Sequence, residues 1–136
     1  MKPALDSFQS RALPKSFVIE LTKRCNNHCL YCYMAEGPCA QDCDRDRSSE
    51  MSTREVTDTI AKLCDEAPVQ SIALSGGEPL LREDLPEILS FIRSKGIAAV
   101  VITNGTLLTA ERLASLGPMS PMRSRCSVIT GRYTTC

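Results

Sequence analysis

Residues 71–105 read SIALSGGEPLLREDLPEILSFIRSKGIAAVVITNG, and this stretch decides the fold. Residues 71–74 and 98–102 are rich in aliphatic and β-branched side chains, which predicts two strands. The second run is apolar throughout instead of alternating, so we expect both of its faces to be buried, as in a parallel sheet. Gly96, just before it, suits the left-handed residue that ends a helix. The stretch therefore predicts a strand–helix–strand unit with a right-handed crossover.

Two helices have start signals in the sequence. Ser52 and Glu55 form a capping box, in which each side chain can accept from an otherwise unpaired backbone N–H. Asp84 and Glu87 predict a second box. Pro68 ends the first helix, whose apolar residues recur at helical spacing: Val56, Ile60, Leu63, Cys64 and Ala67.

The same alternation extends in both directions along the chain. Residues 17–22 predict an earlier strand and residues 109–116 a last short helix. Strands alternating with helices indicate an α/β fold with a parallel sheet. We expect one domain, with a lead-in at 1–15, a core at 16–117 and an irregular tail at 118–136.

The composition excludes several classes of protein. Lys plus Arg and Asp plus Glu number 16 each, so the net charge is zero and a strongly basic nucleic-acid binder is excluded. The longest apolar run, 97–102, is far shorter than the ~20 residues that a membrane-spanning helix needs. Residues 1–11 lack the hydrophobic stretch of a signal peptide. We therefore expect a cytoplasmic protein with no nucleic-acid or membrane partner.

The eight cysteines favour metal ligation or redox chemistry over a disulfide framework, because no export signal is visible. Cys25, Cys29 and Cys32 follow the first strand closely enough for one loop to aim three thiolates at one centre. Three ligands are one fewer than usually close an iron–sulfur or a structural zinc site, and a reactive metal site needs such a vacancy. The trio favours iron–sulfur chemistry. A zinc site completed by His28 or by a later cysteine is the alternative.

Other cysteines have simpler interpretations. Cys39 and Cys43 lie four residues apart in a long loop, and we interpret them as free thiols, with a second cluster as the alternative. Cys64 lies on the core stripe of its helix, where we expect a small buried hydrophobe. His28, the only histidine, is interpreted as a loop residue.

Two further loops follow predicted strands. Residues 76–79 read GGEP, hereafter the GGEP strip, where glycine lets a ligand approach the backbone closely and Glu78 can accept from an ammonium group. A plain turn with a solvated Glu is the alternative. Residues 103–105 read TNG. Because function in parallel α/β folds collects at the carboxyl ends of the strands, we expect both loops to join the cysteine loop in one site.

With these motifs in this order, the chain resembles the radical S-adenosylmethionine superfamily. The resemblance rests on the three cysteines with Tyr31, the GGEP strip and the TNG triplet, and it covers about residues 16–116. Residues 79–82, PLLR, are similar to the branch that modifies peptides and proteins. The resemblance implies a partial parallel (βα) barrel, with about three βα units of a (βα)6 core.

The resemblance also implies the chemistry. Cys25, Cys29 and Cys32 would hold a [4Fe-4S] cluster, whose fourth iron would chelate S-adenosylmethionine. One electron would cleave this cosubstrate to methionine and a 5′-deoxyadenosyl radical, which abstracts a substrate hydrogen atom. The implied partners are a reductant such as a flavodoxin or a ferredoxin and a peptide or protein substrate.

The same resemblance implies the residues that bind the cosubstrate. Tyr31 would lie near its adenine. Thr103 and Asn104 would contact it, with a structural role at the strand end as the alternative. Gly76, Gly77 and Glu78 would bind its methionine ammonium group. Pro79 is the remaining residue implied to bind the cosubstrate.

The chain also departs from the family pattern. Only three βα units are visible, so we expect the third strand to lack an outer neighbour and to present a hydrophobic edge. Residues 119–136 show no period apart from a short run at 126–130, and we hypothesise that this tail is translated out of frame. A divergent tail or a truncated gene remnant is the alternative. We expect an N-terminal fragment of an enzyme that binds a cluster but turns over poorly or not at all.

Two other classes of function remain open from the sequence. One is a non-catalytic iron–sulfur or zinc-binding module, which would use the same three cysteines. The other is a disulfide-stapled structural domain, which would have no free thiols after oxidising purification.

Overall fold

A computed structural model describes residues 15–27, Cys29, Cys32, residues 50–117 and the backbone of 128–130. The strands are β1 (Ser16–Thr22), β2 (Ser71–Gly76), β3 (Ala98–Thr103) and β4 (Val128–Thr130). The helices are α1 (Thr53–Glu66), α2 (Leu85–Ser94) and α3 (Ala110–Ser115), with a short 3-10 helix at Pro79–Leu81. The predicted alternation of strands and helices is confirmed.

The strands form one parallel sheet in the order β1-β2-β3-β4. In its register Ile19 pairs with Leu74, and Leu74 pairs with Val101. Because every described pairing is parallel, the carboxyl ends of the strands meet at one edge. The sheet with its connecting helices confirms a partial, open α/β (βα) architecture.

One face of the sheet forms a single hydrophobic core with the helices. Cys64 of α1 is half-buried and packs against this core, so it is less enclosed than expected. Fully burying an aliphatic side chain contributes about 1.5–3 kcal/mol, which makes this layer the main source of stability. The strand side chains of the core are Ile19, Leu21, Ile72, Leu74, Ala99 and Val101. The buried helix side chains are Val56, Ile60, Leu85, Ile88, Leu89 and Ile92.

The opposite face of the sheet is more open. Val18 is 64% exposed and Ile102 is 39% exposed. Ala73 and Val100, which continue the row from Val18 across the register, are half-buried. The prediction that both faces of β3 are buried is therefore wrong. Within the described residues the core layer covers one face only, and the apolar side chains on the other face have no equivalent cover.

The outer edge of β3 is paired. Val101, Ile102 and Thr103 align with the three residues of β4, Val128–Thr130, in a parallel ladder. The prediction of a third strand without an outer neighbour is wrong, because the short 126–130 run supplies a strand that satisfies part of that edge. The rest of the predicted tail, 118–127 and 131–136, lies outside the described residues.

The helix ends confirm one predicted box and correct the other. Ser52 and Glu55 form the capping box of α1. Asp84 precedes α2 but makes no capping hydrogen bond, because its carboxylate accepts from Arg82 and Thr53 instead. Gly96 follows α2 at φ +72°, the left-handed conformation expected there. Every helix among the described residues is too short or too polar to cross a lipid bilayer.

Candidate functional site

Three loops meet at the carboxyl edge of the sheet: residues 23–27 after β1, 77–79 after β2 and 104–106 after β3. The backbone N–H of Gly77 donates to the carbonyl of Thr22 at 2.8 Å, and that of Glu78 donates to the carbonyl of Arg24 at 2.8 Å. The GGEP strip is thereby fastened directly beside Cys25. The predicted meeting of the first two loops is confirmed in the backbone.

The two glycines of the strip have no room for a side chain. A Cβ on Gly77 would lie 2.2 Å from the carbonyl oxygen of Arg24, and one on Gly76 would lie 2.2 Å from that of Thr22. Gly76 also has φ +127°, which side chains with a Cβ rarely adopt. Glycine permits a close approach to the strip, and in this structure it is the backbone leading into the cysteine loop that makes this approach.

Glu78 is a fully buried carboxylate. Its Oε1 accepts from the backbone N–H of Leu80 at 2.9 Å and from the hydroxyl of Thr103 at 2.7 Å. Its Oε2 accepts from the backbone N–H of Asn104 at 2.8 Å. Pro79 is buried behind it and opens the 3-10 helix, a position that needs no N–H. Glu78 thus joins the ends of β2 and β3, and the alternative of a solvated turn does not apply.

Thr103 and Asn104 differ in what they contact. The buried Thr103 hydroxyl donates to Glu78, which favours its structural interpretation. The Asn104 side chain crosses to the first loop, where its Nδ2 lies 2.9 Å from Oδ1 of Asn26 and 3.9 Å from Sγ of Cys25. Asn26 in turn donates to the hydroxyl of Thr106 at 2.7 Å. The TNG loop therefore contacts the cysteine loop as well as the strip.

The three cysteines are free thiols with different exposure. Cys25 and Cys32 are half-buried and Cys29 is exposed. The backbone N–H of Cys32 donates to the carbonyl of Cys29 at 3.2 Å, which forms a turn. Burial raises the pKa of the Cys25 thiol, although the N–H of Asn27, 3.4 Å from its Sγ, acts in the other direction.

The cysteine trio is not arranged as a ready metal site. Within the described residues, which include all three thiols, no group of three Cys, His, Asp or Glu side chains is placed to hold a metal ion. The expectation that the loop aims its three sulfur atoms at one centre is not met in this conformation. His28, Tyr31, Cys39 and Cys43 lie outside the described residues.

A cluster of charged residues that begins just after the strip was not predicted from the sequence. Arg82, only 5% exposed, donates to the carbonyls of Leu21 and Met51 at 3.0 and 2.8 Å and to the carboxylate of Asp84. These hydrogen bonds from Arg82 are the main cause that lowers the pKa of Asp84 to about 2. In the sequence, the only sign of this cluster is that opposite charges lie close together. The carbonyl groups that accept from Arg82 come from distant segments, so no local pattern predicts them.

Arg24 and Glu50 extend this cluster towards the cysteine loop. Their side chains form an ion pair at 2.7 Å, and the hydroxyl of Thr22 also donates to Glu50. Burial alone would raise the pKa of Glu50, but the hydrogen bonds from Arg24 and Thr22 outweigh it, and the pKa is lowered. The ion pair braces the residue that precedes Cys25.

Comparisons with known proteins agree with this arrangement. The family model of the Radical SAM superfamily matches residues 19–128. The chain is 42% identical over 100 residues to the Fe-coproporphyrin III synthase of Methanosarcina barkeri, covering 73% of this chain and 23% of that protein. It is 44% identical over 96 residues to a probable GTP 3′,8-cyclase of Methanocella arvoryzae, covering 71% and 28%.

A third relative is the PqqA peptide cyclase of Streptomyces rochei, 38% identical over 103 residues that cover 76% of this chain and 26% of that protein. Among solved structures, Streptococcus suis SuiB bound to S-adenosylmethionine superposes with a TM-score of 0.61 at 21% identity, covering 76% of this chain and 22% of SuiB. The chain spans roughly a quarter of the length of each curated relative named here. It belongs to the radical S-adenosylmethionine superfamily.

Proposed function

We propose that this chain carries the cluster-binding and cosubstrate-binding part of a radical S-adenosylmethionine enzyme. The family uses a [4Fe-4S] cluster and S-adenosylmethionine. The observation that carries the proposal is the backbone pairing of Glu78 with Arg24, which sets the GGEP strip beside Cys25, the first of the three cysteines. Cys25, proposed as a cluster ligand, and the strip proposed to hold the cosubstrate are thereby neighbours at one sheet edge.

The donor set of the cysteine loop fits a [4Fe-4S] cluster. Cys25, Cys29 and Cys32 are free thiols, and thiolates are the usual ligands of such clusters. Because the three sulfur atoms do not form a ready site, we propose that Cys29 and Cys32 close around the metal as it binds, in the way that many metal sites assemble on binding. When bound, the cluster supplies the electron that cleaves S-adenosylmethionine to methionine and a 5′-deoxyadenosyl radical.

The GGEP strip is proposed to hold the methionine end of S-adenosylmethionine. Glu78 is fully buried and accepts three hydrogen bonds, so its task is to fix the shape of the strip and to place a negative charge near the ammonium group. A buried charge acts more strongly on a nearby cation than a solvated one, because water screens it less. Tyr31 is proposed to lie near the adenine.

A peptide or protein is the proposed substrate. Its support is the 38% identity to a peptide cyclase across 76% of this chain, together with the PLLR stretch at 79–82. A flavodoxin or a ferredoxin is the proposed reductant, because the cosubstrate must receive one electron for each cleavage. Because this chain is expected to turn over poorly, the test is a single-turnover one: release of 5′-deoxyadenosine only when reductant and a peptide substrate are both present would support both assignments.

Anaerobic reconstitution with iron and sulfide tests the proposal. We expect about four irons per chain and a visible spectrum that S-adenosylmethionine perturbs. Cys25→Ala, Cys29→Ala and Cys32→Ala should each lose the cluster. Cys64→Ala, which removes a thiol from α1, is the matched control and should keep it. Binding of one zinc with no visible absorption would instead establish the non-catalytic zinc module, and absence of free thiols the disulfide-stapled domain.

A further inference from the structure

Asn104 makes hydrogen bonds to all three loops of the site edge. Its backbone N–H donates to Oε2 of Glu78 at 2.8 Å. Its side-chain Nδ2 donates to Oδ1 of Asn26 at 2.9 Å and to Sγ of Cys25 at 3.9 Å. Its Oδ1 accepts from the backbone N–H of Thr106 at 2.9 Å and from its hydroxyl at 2.7 Å. The amide therefore uses both of its N–H groups and both acceptor positions.

This network fixes the orientation of the Asn104 amide. Because Oδ1 accepts twice from Thr106, the Nδ2 group must face the cysteine loop. Asn26 closes the ring by accepting from Asn104 and donating to Thr106 at 2.7 Å. A flipped amide would set its N–H groups against the N–H of Thr106, so the donor that points at Cys25 is held in place by its neighbours.

Cys25 receives two N–H donors on its sulfur atom. One is the backbone N–H of Asn27 at 3.4 Å, and the other is Nδ2 of Asn104. Hydrogen bonds to cysteine sulfur stabilise the more negative, reduced state of an iron–sulfur cluster and so raise its reduction potential. Partners of metal ligands also orient those ligands.

The network suits positioning better than folding stability. Asn26 and Thr106 are exposed and Asn104 is half-buried, and an exposed hydrogen bond exchanges with water at little net gain. The residues that these hydrogen bonds join across the two loops are nevertheless 78 to 80 residues apart in the chain. Such contacts fix the position of Cys25 relative to the TNG loop.

We propose that Asn104 is a positioning residue that holds Cys25 towards the cluster and, through its side-chain N–H, raises the reduction potential of that cluster. This inference rests on the proposed function, since it needs a cluster on Cys25. It gives the TNG triplet a role towards the metal ligand, separate from any contact with the cosubstrate.

The test compares reconstituted wild type with Asn104→Ala and Thr106→Val by redox titration followed by electron paramagnetic resonance. Asn104→Ala removes the donor to Cys25. At a fixed poise we expect its ratio of reduced to oxidised cluster to fall roughly threefold to tenfold, where tenfold corresponds to 59 mV for a one-electron couple. Thr106→Val is the matched control: it removes the hydroxyl from the same network, while the backbone N–H of residue 106 still orients the Asn104 amide and its donor to Cys25, so we expect a change below about twofold.

The outcomes separate the two proposals. A wild type that binds no cluster overturns both. A wild-type cluster with an unchanged ratio in Asn104→Ala, or with equal shifts in both variants, overturns the role of Asn104 alone and leaves the proposed function standing. Should Asn104→Ala lose its helical circular dichroism, Asn104→Ser carries the test. Serine keeps turn-forming ability without reaching Cys25, so a wild-type ratio overturns the inference and a lowered ratio supports it.

Discussion

The GGEP strip and the cysteine loop lie side by side but are held very differently. In the strip, Glu78 is fully buried and accepts three hydrogen bonds, and both glycines pack against backbone. In the loop, Cys29 is exposed, and the described cysteines form no ready metal site. The difference indicates that the fold preorganises the GGEP strip, whereas fewer contacts hold the described cysteines of the loop.

Gly77→Ala, in the GGEP strip, should have the largest effect. The new Cβ would lie 2.2 Å from the carbonyl oxygen of Arg24, so the strip and the cysteine loop must move apart. We expect a loss of about 3 kcal/mol or more in the free energy of unfolding, measured in urea. Gly96→Ala is the control: it has space around it and should cost only about 1 kcal/mol for its positive φ. Equal losses in the free energy of unfolding of the two variants would contradict the close packing of the strip against the backbone of Arg24.

Glu78→Gln should have the next largest effect. The carboxylate accepts from three donors, and a glutamine must turn its NH2 group towards at least one of them. We expect the variant to lose about 2 kcal/mol in the free energy of unfolding. Glu87→Gln, on the exposed side of α2, should stay within about 0.5 kcal/mol of wild type. If Glu78→Gln left the free energy of unfolding unchanged, the carboxylate of Glu78 would not be what fixes the strip.

Asp84→Asn tests the charged cluster around Arg82, which ties Asp84 to the backbone of Leu21 and Met51. Arg82 lowers the pKa of Asp84 to about 2, below its ordinary 3.8. The carboxylate therefore stabilises the fold above pH 3.8, and this contribution is lost as the pH falls from 3.8 towards 2. We expect the variant to be about 1 kcal/mol less stable at pH 7, less than the shift alone implies because the pair is partly solvated. Asp58→Asn, in an exposed pair with Arg54, is the control.

If the full difference in stability between wild type and Asp84→Asn persisted at pH 2, it would contradict a pKa of about 2 for Asp84. A difference at pH 7 as small as that of Asp58→Asn would show that the Arg82–Asp84 pair does not stabilise the fold. Chemical denaturation at both pH values distinguishes the two results.

The smallest expected effect lies in the cysteine loop. In the metal-free chain, Cys29 should react with iodoacetamide about threefold faster than Cys25, because Cys25 is half-buried and burial raises the pKa of its thiol. Peptide-resolved mass spectrometry measures both rates. Reconstitution should protect both thiols and leave Cys64 unchanged. Equal rates for Cys25 and Cys29 before reconstitution would contradict the unequal exposure of the loop.

Much of the fold could be predicted from local signals. The capping box at Ser52, the left-handed Gly96 and the strands predicted at 71–74 and 98–102 all follow from patterns within a few residues, and the structure extends those strands to Gly76 and Thr103. Two of the predictions that failed concern layers and edges. Whether Ile102 is covered, and whether β3 has an outer neighbour, depends on segments elsewhere in the chain that no local period encodes.

The sequence by itself determined the order of strands and helices, the parallel sheet and the three loops that hold the candidate residues. Only the tertiary structure decided which partners those residues meet. Glycine permits close approach, but only the fold shows that the backbone of Arg24 fills the space at Gly77. Likewise, Asn104 reaches Cys25 across 79 positions of sequence. Propensities act between neighbours in the chain, whereas hydrogen bonds and burial depend on distance in space.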